Sequence, residues 1–438
     1  RGGADDHRRS QVLARVEIEL EGGRCATGWA AECPAPIWFD KERPETATLA
    51  ALYAALRRTA DAYLADRRPR TAFARFASAE PELHRLACAD GAPHVVASFG
   101  QALIDHAVLD ALCLSLGCAF FTAMKADLVG MTTAPCPDLR DFDLPGWLAG
   151  LRPKTSLEVR HTVGLSDPLT TVPSDVPRDG LPVTLAQAIT AYGLRSFKVK
   201  IDARTDVTLA RLHEITALVE TTGSEWTLTL DGNEVFDTVD EVRELVAAIA
   251  ADPALADTMR RILYLEQPIR RDRWRSQDVG CTGLPIIIDE GEGTLDDFPH
   301  ALRSGYAGVS AKTCKGVYKA VFNAARSFGR VGTFVTAEDL NHPAGLSMNQ
   351  DLCVAALLGL DRVERNGHHV VDGLADTSPS VQAEFVRRHP DLYASAGGSR
   401  PRLRIDDGRV RTASRDQPGF GAAAAPDLAD LGPLEPAR

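Results

Sequence analysis

From about residue 156 the chain repeats one pattern: a short apolar run, a polar turn, then a longer stretch with apolar positions three and four apart. The runs fall at 157–163, 197–201, 227–231, 262–266, 285–290, 308–312, 332–338 and 362–366. Helical stretches at 184–192, 206–221, 238–250, 294–304, 317–328 and 346–358 lie between them. Several runs are four or five β-branched and aliphatic residues that end in a carboxylate. That composition predicts parallel strands buried on both faces, with a charged group at the C-terminal mouth. Strands alternating with helices predict βα units around one parallel sheet.

The first part of the chain reads differently. Residues 12–20 alternate like a strand, Gly22-Gly23 makes a turn, and 25–33 continue as a second strand, which together predict a hairpin. A proline-containing loop at 34–45 carries Trp38 and Phe39. Helical periodicity follows at 46–65 and 94–126. The 438 residues therefore divide into an α+β unit over 1–150, the repeating unit over 151–394, and a Gly-, Ala- and Pro-rich return over 395–438. In that return, 403–411 reads as a hairpin with an Asp-Gly turn. Residues 1–10 are expected to be loose and the last dozen or so disordered.

Composition narrows the partners. A hydrophobic content of 45% with 25% charged residues is that of a globular protein, and a net charge of −11 argues against nucleic acid or an anionic membrane as the main partner. No apolar run reads as long enough to span a bilayer, and no signal peptide is recognised. The nine cysteines are scattered without a CxxC pair, which predicts reduced thiols and a cytoplasmic location. Cys113, Cys118 and Cys353 sit in helical apolar patterns and are expected to fill cores.

The chemistry lies at the ends of the runs. Lys200, Asp231, Glu266, Asp289, Lys312, Glu338 and Glu364 recur at intervals of 23 to 35 residues. Reactive groups on so many successive strand ends predict a parallel barrel; a doubly wound open sheet, the alternative, would gather them at one switch point. The longest interval, before Glu266, predicts a longer helix or an insertion at 252–260. Taken singly, each acid reads as a helix cap or a loop ion pair. Asp231, Glu266 and Asp289 together, each closing an apolar run, predict three carboxylates that need a cation, and hard oxygen donors few in number suit Mg2+. Asn233 shares the face of Asp231, where it binds a ligand or caps a turn.

Lys198 and Lys200 alternate with Phe197, Val199 and Ile201, so both ammonium groups point to one face, the inside of a barrel. Burial and mutual repulsion depress their pKa values while neighbouring carboxylates oppose this. Lys312 ends a strand on the other side. Two bases facing each other can remove and return a proton on either face of a carbon. Lys315 is expected to face solvent. His342 reads as a loop histidine or a substrate contact, and His368 and His369 as a rim element or polar loop. Glu364 is open between a substrate contact and an ion pair with Arg362 or Arg365. Gly291-Glu-Gly293 lacks the third glycine of a dinucleotide loop, and Walker, HExxH and GxSxG patterns are absent.

Lys198-x-Lys200, Asp231-Gly-Asn233, Glu266-Gln-Pro, Asp289-Glu290 and Lys312 on the next strand resemble the enolase superfamily, in particular its mandelate racemase/muconate lactonizing enzyme-type proteins and their muconate-lactonizing subgroup. The likeness covers most of the chain: the hairpin with Gly28-Trp29 resembles that family's capping domain, and Pro418–Gly421 its C-terminal return. The resemblance implies an α/β fold, a modified (β/α)7β barrel under an α+β cap. It implies Mg2+ on Asp231, Glu266 and Asp289, Lys200 and Lys312 as the acid/base pair, and Lys198 beside a substrate carboxylate. It further implies a homo-oligomer acting on a small carboxylic acid: abstraction of the proton α to the carboxylate gives a metal-stabilised enolate, leading to racemisation or epimerisation, cycloisomerisation or dehydration. Specificity is then expected from Trp29, Trp38 and Phe39 and from the last strands. The mandelate-racemase arrangement, a His on the seventh strand with an Asp on the sixth, is replaced here by Lys312. The Asp-x-Asp of dipeptide epimerases is replaced by Glu364-Arg-Asn366. Two other readings stand beside this one: a Schiff-base aldolase using Lys200 or Lys312, and a non-catalytic relative that binds a ligand.

Overall fold

Period-two alternation decides both parts of the molecule. In the computed structural model, which describes residues 11–176, 179–223, 225–374, 377–395, 400–422, 424–426, 432 and 434, strands β1 (Val12–Glu19) and β2 (Cys25–Glu32) form the expected hairpin, paired from Val12↔Glu32 to Glu19↔Cys25. Its inner face lies on helix α4 (His94–Leu116), with α1 (Pro36–Phe39), α2 (Glu45–Ala65) and α3 (Ala72–Ala89) around it. Gly28 makes this approach possible: a Cβ there would stand 2.2 Å from the Ala107 carbonyl and from the Ala111 nitrogen. The helical stretch expected over 94–126 is two helices, because Gly117 takes a left-handed cap (φ 64°) and the chain restarts at Phe120–Lys125. By length and composition α4 could cross a membrane, contrary to the sequence reading, but 89% of its apolar window is buried inside the protein.

The repeating unit forms β3 (Ser156–Val163), β4 (Ser196–Lys200), β5 (Thr227–Asp231), β6 (Ile262–Glu266), β7 (Ile286–Ile288), β8 (Gly308–Ala311), β9 (Phe334–Ala337) and β10 (Arg362–Glu364). They pair in parallel in the order β10-β3-β4-β5-β6-β7-β8-β9. Among the described residues no ladder joins β9 to β10, so the barrel is nearly closed. Phe197, Val199, Leu228, Leu230, Leu265, Ile286, Ile288 and Val309 face outward into one core with the surrounding helices. The inward positions carry Lys198, Thr229, Asp231, Tyr264, Glu266 and Ser310, all buried. The runs are thus buried on both faces, as expected, with an apolar outer face and a mostly polar inner one.

Two βα helices begin at capping boxes, Thr184 with Gln187 and Thr238 with Glu241, which fix where the chain turns back along the barrel. The interval before Glu266 holds the expected insertion, a 3-10 turn at Pro253–Leu255 and a short helix at Ala256–Arg261. Beyond the barrel, β11 (Tyr393–Ala394) pairs with β12 (Arg402–Leu403), while β13 (Arg409–Arg411) pairs antiparallel with β3. The Asp-Gly turn forms, with Asp407 and Gly408 both at positive φ. Its two arms nevertheless enter different sheets instead of making one hairpin. Further on, Phe420 stacks on Phe120 at 3.9 Å and its N–H donates to Asp110 at 2.7 Å, so the chain returns to the first unit. The stretches expected to be loose, 1–10 and nearly all of the last dozen residues, lie outside the described residues. Cys113 and Cys353 are buried and Cys118 half-buried.

Candidate active site

Adjacent strand ends bring the three carboxylates together. Asp231 closes β5 directly opposite Glu266, which closes β6, and Asp289 follows the last residue of β7. The turns after these strands hold the row in register. The Gly232 N–H donates to the Glu266 carbonyl (2.9 Å) and the Glu234 N–H to that of Gln267 (2.8 Å). A Cβ on Gly232 would meet Pro268 Cα at 2.7 Å, which requires glycine in Asp-Gly-Asn. Gln267 is held at φ 32°, a strained position for a non-glycine residue. Its buried amide accepts from the backbone N–H of Asp289 (2.8 Å) and of Gly291 (3.0 Å). Gln267 therefore ties the end of β6 to the end of β7.

The lysines flank this row. Lys200 Nζ lies 2.6 Å from Asp231 Oδ2 and donates to Asn233 Oδ1 at 2.5 Å. Lys312, just past β8, pairs with Asp289 Oδ2. Strands β4 and β8 are four apart in an eight-stranded order, so the two amines stand across the barrel with the acids between them. Lys198 sits deeper, 2.8 Å from each of Asp231, Glu266 and Glu338 and 3.1 Å from Glu364. Burial works against its charge, but the four carboxylates outweigh it, and its pKa lies well above the ordinary lysine value. The same contest holds the Lys312 pKa high, burial opposing and Asp289 with Glu266 prevailing. For Lys198 and Lys312, attraction to the acids prevails over the depression expected from burial and repulsion.

Glu266 is the member that fits a cation. Both of its carboxylate oxygens are buried and neither has a hydrogen-bond partner; Lys198 approaches without making a hydrogen bond to either. Burial, then the charges of Asp231 and Glu338, push its pKa well up. Asp231 and Asp289 go the other way: burial raises them, but Lys198 and Lys200 on one, and Lys312 and Lys315 on the other, hold both below the carboxylate range. A buried carboxylate whose oxygens lack a hydrogen bond, between two ionised carboxylates, is a donor set suited to a hard divalent ion such as Mg2+. Next to it Glu290 accepts from Asn233 Nδ2 (2.9 Å), and burial and Asp289 push its pKa to about 7.

Several positions differ from expectation. Lys315 is buried, not solvent-facing: its Nζ reaches Asp289 Oδ1 (3.4 Å), Ser310 Oγ (2.9 Å) and Glu292 Oε2 (3.0 Å). Lys315 closes the 3-10 turn Thr313–Lys315, three residues past Lys312 and on the same side of the chain. Glu364 pairs with neither neighbouring arginine through its side chain. It accepts from Thr162 Oγ1 (2.5 Å), Asn366 Nδ2 (2.7 Å), Lys198 Nζ (3.1 Å) and the Asp339 N–H (3.0 Å), while Arg362 pairs with Glu158 and Arg365 with Asp351. His342 is buried between Glu32 of the hairpin (2.5 Å) and Asp339 (3.0 Å). Of the three aromatics, Trp38 reaches the site: its Nε1 donates to Asp289 Oδ2 at 3.3 Å and the Lys312 ammonium lies over its ring at 4.6 Å. Phe39 packs on Phe99, and Trp29 donates its N–H to Asp110. Sequence reasoning did not assign Arg160 or Glu338, which pair inside the barrel beneath Lys198. The signal available was an arginine on the inward face of β3, between Glu158 and Thr162 at period two.

Residues 183–428 match the family described as enolase C-terminal domain-like. Solved structures of low identity superpose on nearly the whole chain. One is a mandelate racemase/muconate lactonizing enzyme from Bordetella bronchiseptica RB50, at 16% identity with 98% of each chain covered and a TM-score of 0.59. A member of the enolase superfamily from Roseovarius nubinhibens ISM follows at 18%, with 97% of this chain and 90% of that one covered and a TM-score of 0.58. A dipeptide epimerase from Enterococcus faecalis V583 is 14% identical, with 94% and 98% covered and a TM-score of 0.55. At these identities the likeness is one of fold. No curated protein matches the chain in sequence.

Proposed function

The chain belongs to the enolase C-terminal domain-like family, and on that premise we propose that it abstracts the proton α to the carboxylate of a small acid, with Lys200 and Lys312 as acid and base on opposite faces of the substrate carbon. The observation that carries the reading is the position of these amines, Lys200 at the end of β4 and Lys312 just past β8, each paired with an outer member of the row Asp231–Glu266–Asp289. Asp231, Glu266 and Asp289 hold Mg2+ in this reading. When bound, the ion would supply positive charge that acidifies the α-proton and would engage the carboxylates that hold the Lys312 pKa high. Lys198 and Asn233 orient the substrate, and Glu364 holds Lys198 in place through its own hydrogen bonds.

Within the family, Lys198-x-Lys200 with Lys312 on the sixth barrel strand supports the muconate-lactonizing subgroup. Racemisation or epimerisation, cycloisomerisation and dehydration all begin with the same proton transfer. A homo-oligomer in the cytoplasm, without nucleic acid or membrane as partner, completes the reading. A Schiff-base aldolase would need a neutral lysine and leaves the three carboxylates without a task.

The test is proton exchange. Acid sugars, N-acyl amino acids and cycloalkene carboxylates are incubated in D2O with Mg2+, and the α-position is read by NMR. We expect deuterium uptake that stops on chelation with EDTA and returns with added Mg2+. Uptake that is unchanged in both Lys200→Ala and Lys312→Ala would overturn the base assignment. Covalent trapping by borohydride with activity surviving EDTA would establish the aldolase instead.

A further inference from the structure

His161, His368 and His369 form a cluster that the carboxylate site does not use. On β3, Arg160 and Thr162 point inward, to Glu338 and Glu364. His161 between them therefore points out of the barrel wall. His368 and His369 lie in the turn Gly367–Val370 that follows β10, the strand paired with β3. Gly367 lets this turn press inward, since a Cβ there would lie 1.9 Å from the His342 carbonyl oxygen. The three rings come to centroid separations of 4.6, 5.0 and 5.7 Å, and one nitrogen of each lies within 4.8 Å of the other two.

His161 and His368 are more than nine-tenths buried. His161 Nδ1 and both ring nitrogens of His368 have no hydrogen-bond partner. Leaving a buried polar group so is costly, and buried histidines ordinarily find a backbone or side-chain partner. An aromatic cluster alone, with Tyr192 edge-on to His368 at 5.0 Å, accounts for the packing but not for nitrogens turned toward one another.

We propose that His161, His368 and His369 bind a divalent transition-metal ion of the Zn2+ class, with a fourth position open beside the half-buried His369. Imidazole nitrogen is the donor that Zn2+, Co2+ and Ni2+ prefer over Mg2+, so the cluster and the carboxylate row select different ions. With metal–nitrogen bonds of about 2.0–2.1 Å the three nitrogens of a tetrahedral site stand about 3.3 Å apart, so the rings draw together by about an ångström on binding. Burial keeps His161 and His368 unprotonated, His368 with a pKa of about 3, which is the state a ligand needs. Asp339 and Arg365 act on His368 in opposite senses, Asp339 raising its pKa and Arg365 lowering it. The ion would join the turn after β10 to its paired strand β3.

The experiment titrates the full chain with Co2+ in excess Mg2+, following visible absorption, then displaces Co2+ with Zn2+. We expect one equivalent of Co2+ with the intense d–d bands of a four-coordinate nitrogen site, in the native chain and in Glu266→Gln alike. His369→Gln and His161→Phe should each weaken it by about 100-fold or more, since even outer-shell changes cost 10- to 100-fold. His369→Gln is half-buried and near-isosteric, and its metal-free circular dichroism checks the fold. Co2+ bands that persist in both histidine variants, or that vanish in Glu266→Gln while the native chain keeps them, would overturn the proposal. So would a native chain that takes up no Co2+ in excess Mg2+.

Discussion

The two sides of the carboxylate row are built from the same parts and sit in different surroundings. On the β4–β5 side, Lys200 pairs with Asp231 and its side chain is 27% exposed, with Asn233 at hand. On the β7–β8 side, Lys312 pairs with Asp289 and is 4% exposed, roofed by Trp38 and backed by Lys315 and Ser310. Asp289 accepts from Trp38, Ser310 and the two lysines Lys312 and Lys315, and Asp231 from Lys198, Lys200 and the Asn233 N–H. A substrate approaching from solvent meets the Lys200 side first, whereas the Lys312 side is already enclosed. Equal chemistry on paper is therefore unequal in stability and access.

The largest break in this comparison is loss of each lysine. Lys200→Ala and Lys312→Ala should each lower α-proton exchange by about 10²- to 10⁴-fold. In Mg2+-free buffer they should then diverge. Lys312→Ala deprives buried Asp289 of its closest cation and should cost about 3 kcal/mol in urea denaturation. Lys200→Ala, at a partly exposed pair whose acid keeps Lys198, should cost about 1 kcal/mol or less. Equal destabilisation would mean that the two sides are equivalent. A smaller effect sharpens the difference: Trp38→Ala removes a ring over Lys312 and a donor to Asp289, and should slow exchange by about 10-fold, the scale of one partly desolvated cation–π contact. With a substrate of either configuration, the enantiomer deprotonated by Lys312 should lose more than the one deprotonated by Lys200. A uniform loss would assign Trp38 to binding alone.

The smallest effect tests what holds the roof. His342 lies between Glu32 of the hairpin and Asp339 of the barrel. Burial disfavours its charge, but Glu32 and Asp339 outweigh this and its pKa is raised well above the ordinary value. A raised folded-state pKa gives stability that is fully present below the unfolded value near 6.5 and is lost as pH rises through the folded one. Thermal unfolding followed from pH 6 upward should show a decline that His342→Gln removes. A native chain and variant with parallel profiles would mean that His342 stays neutral.

How much of this was legible depends on the range of the interaction. Lys198, Lys200, Asp231, Glu266 and Asp289 could be read because a strand's period of two and its C-terminal end are local properties, and the βα repeat puts such ends side by side. Gln267 was passed over because its partners, the N–H groups of Asp289 and Gly291, belong to the next strand. Lys315 was misplaced because the acids that draw it in, Asp289 and Glu292, lie just past the end of the preceding strand. The arms of the Asp-Gly turn at 407–408 went to separate sheets because β3 offered one of them a free edge, which no local pattern announces.

By itself, then, the sequence determined the barrel, the acids at its mouth and the lysines on either side, since each follows from alternation and spacing along one stretch of chain. The tertiary structure decided which lysine is enclosed, that Trp38 and not Trp29 or Phe39 reaches the acids, that Glu364 serves Lys198, and that three histidines meet outside the wall. Those outcomes depend on residues far apart in the chain that meet only after packing. Charge and burial there are settled by neighbours that no window of sequence contains.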